Sequence, residues 1–238
     1  MSDVTEESPP AGMDGPLAPL VPLVPPASST PLAQSAQSAP PVPSARKRPR
    51  PGERRVQILQ TLASMLEAPG AERITTAALA ARLDVSEAAL YRHFASKAQM
   101  FEGLIEFIES SVFTLVNQIT DREPSPSLQA QKIATVLLQF GEKNPGMTRV
   151  MVGDALVFEH ERLSQRMNQF FERVESQLRQ CLRAAAEAGG SATPTVDANV
   201  LASAITSLAV GRLQRYARSG FKRLPTEHLE PALQRLTT

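Results

Sequence analysis

From Glu53 onward the apolar residues recur at intervals of three and four, and no run alternates apolar and polar residues as a strand would. That period lines one face of a helix, so it predicts an all-α body. Val56, Leu59, Ala63 and Leu66 form the first stripe, ended by Ala68-Pro69-Gly70. Ile74-Thr75-Thr76 opens a second helix with Leu79, Ala80 and Leu83 as its buried positions. Ser86 is a good N-cap for a third helix over residues 87–94. Ser96 with Gln99 three residues on reads as a capping box for a fourth. That helix carries Met100, Leu104, Phe107, Ser111 and Leu115 on one face and Phe101, Ile105, Ile108 and Val112 on the adjoining one. A proline-bearing loop over 121–127 leads to a fifth helix using Leu128, Ile133, Leu137 and Phe140, which stops at Asn144-Pro145-Gly146. A shorter stretch over 147–158, long helices over 162–188 and 197–219, and a closing one near 226–236 complete the body.

The N-terminal segment is of another kind. Thirteen of the twenty prolines lie in residues 1–51, and proline both removes backbone donors and favours extended chain. Residues 1–45 are therefore expected to be disordered, with PLAPLVPLVPP (16–26) a candidate docking segment. The formal charge of +1 hides an uneven distribution: residues 1–45 carry −4, residues 46–100 carry +5 and the remainder is neutral. A basic block between an acidic tail and a neutral body points to a polyanionic partner. The single cysteine, Cys181, excludes an internal disulfide framework and fits a reducing compartment. The acidic start lacks the basic region of a secretory signal, and no apolar run is long enough to span a bilayer, so a cytoplasmic protein with no membrane span is expected.

The first three helices carry the functional signal. A helix-turn-helix needs a short turn, an apolar seam and a polar outer face near the start of its second helix. In ITTAALAARLDVSEAALYRHF (74–94), Leu79, Leu83, Val85 and Leu90 supply the seam, and Ala78, Ala80 and Ala81 permit close helix approach. Glu87, Ala88, Ala89, Tyr91, Arg92 and His93 lie on the second helix, with Lys97 just beyond it. Thr75, Thr76 and Ser86 offer hydroxyls and helix-start N–H groups to phosphate oxygens. Arg46, Lys47, Arg48, Arg50, Arg54 and Arg55 form a basic arm that can follow the backbone or enter an adjacent minor groove. A single reading helix covers a half-site, so a homodimer on a palindrome is expected. The two long C-terminal helices, rich in small and apolar residues (Ala202, Ser203, Ala209, Gly211), suit a four-helix interface between copies.

Residues 56–109 resemble the DNA-binding domain of the TetR family, most clearly in ALYRHFASKAQMFEGLIE (89–106). The resemblance implies an all-α fold, with an N-terminal three-helix reader (46–97 with its arm) and a C-terminal helical dimerisation and partner-binding body (98–238). FGEKNPGMTRV (140–150), ALVFEHERL (155–163), RMNQFFERVESQLRQCLR (166–183) and SGFKRLPT (219–226) are similar to the nucleoid-occlusion branch of that family, over about residues 53–238. That resemblance implies palindromic chromosomal double-stranded DNA and the C-terminal tail of the tubulin-like division protein FtsZ as partners. It also implies DNA contacts at Thr75, Thr76, Ser86, Ala88, Ala89, Tyr91, His93 and Lys97, and FtsZ contacts at Phe107 and Lys143. Leu115 and Gln139 depart from the branch pattern beside that contact region.

Two other readings stay open at this stage. One is a ligand-responsive repressor, with Phe107, Phe113, Phe140, Phe158 and Phe170 lining a pocket. The other is a scaffold recruiting partners through its tail. No Walker, GxGxxG, HExxH or GxSxG motif is present, so neither an enzyme nor a cofactor is expected. Glu159-His160-Glu161 reads as a surface patch at a helix start, and Cys181 as a buried small hydrophobe.

Overall fold

The structure, a computed structural model, describes residues 52–68 and 73–237. The proline-rich tail and the arm residues Arg46, Lys47, Arg48 and Arg50 lie outside the described residues. Helices follow in the order α1 (Glu53–Glu67), α2 (Thr76–Leu83), α3 (Glu87–Tyr91), α4 (Lys97–Arg122), α5 (Pro126–Lys143) and α6 (Pro145–Met151). A 3₁₀ turn (Asp154–Leu156) then leads to α7 (Glu161–Ala188), α8 (Pro194–Arg218) and α9 (Leu229–Thr237). The all-α expectation holds, with no strand among the described residues.

Helix starts follow local chemistry. The hydroxyls of Thr75, Ser86, Ser96 and Ser125 accept the N–H of Ala78, Ala89, Gln99 and Leu128, capping α2 to α5. Gln99 returns its side-chain carbonyl to the Ala95 N–H at 2.8 Å, one residue earlier than a standard capping box. Pro126, Pro145 and Pro194 stand at first-turn positions, where a missing N–H costs nothing.

One continuous apolar core runs from Ile58 and Leu62 on α1, through α4, α5 and α7, to Leu229 and Leu233 on α9. The first three helices and the rest of the body therefore share a core. Two carboxylate–guanidinium ties fasten α7 to α4. Arg162 meets Glu102 at 2.8 Å, and Arg166 is bidentate to Glu109 at 3.2 and 2.6 Å. The face of α8 bearing Val196, Val200 and Ala204 is left exposed.

Several sequence expectations are corrected. The buried face of α1 is Ile58, Leu62, Ala63 and Leu66, whereas Val56 is 48 % exposed. Helix α1 packs against α4 and α6, and that contact selects a face one step from the expected stripe. Helix α3 ends at Tyr91 rather than residue 94, because the N–H groups of His93 and Phe94 both turn back onto the Leu90 carbonyl. The expected stretch over 147–158 is broken at Gly153, whose φ of 86° suits glycine, and Val157 and Phe158 emerge into solvent. Helix α8 begins at Pro194 and ends at Arg218, and α9 starts at Leu229, after His228 at φ 52°. Of the three alanines expected at the helix approach, Ala80 is buried while Ala78 and Ala81 are exposed.

Candidate nucleic-acid interface

Helices α2 and α3 are joined by a turn through Asp84, which takes the left-handed conformation (φ 54°, ψ 50°). The N–H of Val85 then bonds back to the Ala80 carbonyl at 3.1 Å, a tight reversal that Asp tolerates. Leu79 and Leu90 are buried in the seam, with Leu83 and Val85 packed partly against them. Beneath α3, Phe94 is 1 % exposed and closes the small reader core.

This packing leaves one face of α3 open. Glu87, Ala88, Tyr91 and Arg92 are exposed, with Tyr91 at 46 %, and His93 is exposed just past the helix end. Ala89 is half-buried, and its N–H is used by the Ser86 cap. Thr76 donates its hydroxyl to Glu87 at 2.6 Å, bracing the start of α2 against the start of α3. Thr75 keeps its hydroxyl hydrogen free of that bracing, since as a cap it acts as acceptor (3.1 Å from Ala78 N).

Two basic residues have structural duties that the sequence pattern did not disclose. The Arg55 guanidinium lies over the Phe94 ring, 4.1 Å from its centroid, and donates to the His93 carbonyl at 3.0 Å. It thus clamps the end of α3 to α1. Lys97 is ion-paired with Glu159, from the loop before α7. Arg54 instead bonds the neighbouring Gln57 at 2.8 Å.

The two residues expected at a protein partner lie near one end of the α4–α5 pair. Phe107 is half-buried, its ring 6.2 Å from that of Phe140, and Lys143 is exposed one turn beyond Phe140. The phenylalanines considered as a pocket do not form a common one. Phe140 and Phe170 are fully buried core residues, Phe113 stacks edge-on to Phe170 at 5.7 Å under Arg173, and Phe158 is 65 % exposed.

The family model for bacterial regulatory proteins of the tetR family matches residues 58–104, spanning this helix-turn-helix. The model for the SlmA-like, tetracyclin repressor-like C-terminal domain matches residues 127–238. A nucleoid occlusion factor SlmA of Photobacterium profundum is 52 % identical over 185 residues, which is 77 % of this chain and 94 % of the relative. The chain belongs to the SlmA nucleoid occlusion factors of the TetR family. A SlmA of Vibrio vulnificus is 53 % identical over 74 % of this chain and 90 % of its own length. The fold extends to more distant regulators. PfmR of Thermus thermophilus superposes with a TM-score of 0.63 at 20 % identity, covering 76 % of this chain and 97 % of its own. FadR of Bacillus subtilis, in complex with stearoyl-CoA, gives 0.61 at 12 %, covering 76 % and 97 %. The SlmA and TetR families are regulators, not enzymes.

Thr75→Ala is expected to weaken specific DNA binding by about 1–3 kcal/mol, because the start of α2 loses its cap and frays. Thr75→Ser, which keeps both the cap and the hydroxyl, should restore most of it. Undiminished operator affinity of the alanine variant in a gel-shift titration would remove Thr75 from the interface.

Proposed function

We propose that the chain pairs as a homodimer, reads a palindromic duplex with α3, and on DNA engages the C-terminal tail of FtsZ, antagonising Z-ring assembly over the nucleoid. The observation that carries the reading is the open face of α3, flanked by capped helix starts at Thr75 and Ser86, in a chain whose body also matches the nucleoid occlusion factors. On this reading Glu87, Ala88, Ala89, Tyr91, Arg92 and His93 approach the base edges, while Thr75, Thr76, Ser86 and Lys97 meet the backbone. Arg54 and the arm add phosphate contacts. Arg55 acts by holding α3 in place. The exposed Val196, Val200 and Ala204 face of α8 supports pairing, because exposed apolar side chains gain by burial against a second copy. Phe107 and Lys143 supply an apolar and a cationic contact for the FtsZ tail.

The test is sedimentation of FtsZ filaments with the protein, with and without a palindromic duplex selected for binding to it. A fall in pelleted FtsZ that depends on the duplex is expected. FtsZ filaments indifferent to the DNA-bound protein would leave a reader of DNA without the division role.

A further inference from the structure

Lys97 is the first residue of α4, a helix with no acidic residue in its first turn. A cation at the positive end of a helix dipole is unfavourable, so its position asks for an anion nearby. In the free protein that anion is Glu159, whose side chain is 9 % exposed, with that of Lys97 at 25 %. The pair joins residues 62 apart, and it ties the start of α4 to the loop over 152–160, whose Ala155 and Leu156 are buried in the core. Glu159 is placed for the task. It follows the 3₁₀ turn, donates its N–H to the Leu156 carbonyl at 3.0 Å, and precedes His160, which caps α7. The same loop exposes Val157 (70 %) and Phe158 (65 %) to solvent.

We propose that Glu159 is an intramolecular stand-in for a DNA phosphate: the Glu159 carboxylate and the duplex backbone compete for Lys97. This rests on the reading of α3 and the start of α4 as the DNA-facing surface. One ammonium group meets one of the two anions at full strength, so docking on DNA unfastens the 152–160 loop from α4. Glu159 is thereby a positioning residue that lowers DNA affinity. It makes the state of the loop carrying Val157 and Phe158 depend on whether the reader is occupied.

The experiment is a double-mutant cycle of Lys97→Gln and Glu159→Gln in the full chain, titrated with a palindromic duplex selected from random sequence by the wild-type protein. Glu159→Gln should bind about three- to tenfold more tightly, since the duplex no longer has to displace a carboxylate. Lys97→Gln should bind more weakly and lower the salt dependence by about one phosphate contact. Adding Glu159→Gln to Lys97→Gln should change nothing further. Hydrogen exchange across 152–160 should quicken when wild-type protein meets the duplex, and be quick already in free Glu159→Gln. Unchanged or weaker binding by a folded Glu159→Gln dimer would overturn the competition, the weaker case showing that the carboxylate presents Lys97 to DNA. Undiminished affinity in Lys97→Gln would instead remove Lys97 from the DNA surface.

Discussion

Gly146→Ala is expected to lower the stability of the whole chain by about 3 kcal/mol or more, at the upper end of overpacking effects. A Cβ at this position would sit 2.0 Å from the Ala63 carbonyl oxygen and 2.9 Å from its carbon, both backbone atoms of α1. A helix backbone cannot step aside as a side-chain tip can, so α6 must move away from α1. Burial pushes the Glu67 pKa up, and the backbone of Gly146 partly offsets it. For a folded region of this size the loss corresponds to a fall in Tm of about 10 °C. A melting curve within a degree or two of wild type would show that α1 and α6 are less closely held than described.

Phe94→Ala is expected to cost about 3–5 kcal/mol, the usual range for removing a fully buried phenylalanine. Its ring supports the end of α3, carries the Arg55 guanidinium and lies against the turn of α4 at Gly103. The reader is small, so no other side chain of comparable size can fill the space. Specific DNA binding should disappear at concentrations where wild type saturates. Urea denaturation and a gel-shift titration measure both effects. Wild-type affinity in this variant would mean that α3 keeps its pose without the ring, against the packing described here.

The sequence disclosed the elements wherever short-range chemistry decides them. Ser86, Ser96 and Thr75 cap the helices that their hydroxyls announce. Leu163, Met167, Phe170, Val174 and Leu178 are all buried on α7, because a long, strongly amphipathic helix permits one face only. Helix α1 misled for the opposite reason. Val56, Ile58, Leu59, Leu62, Ala63 and Leu66 allow two overlapping apolar faces, and packing against α6 chooses between them. Arg55 and Lys97 were recognised as basic residues near the reader, but their partners lie 38 and 62 positions away. No local period encodes such pairs. The early end of α3 was hidden too, because residues 92–94 hold neither Gly nor Pro and only the doubly used Leu90 carbonyl closes the turn.

The common core of reader and body limits how such a molecule can be rebuilt. A reading head cut out at the start of α4 would leave with Ile58, Leu62 and Leu66 uncovered, and the remaining body would lose the surface that α6 rests on. Transplanting a new sequence preference onto this body by exchanging α1 to α3 alone should therefore fail. A graft that brings its own α6 respects the joint, so these helices are expected to travel together whenever evolution or an engineer swaps one head for another.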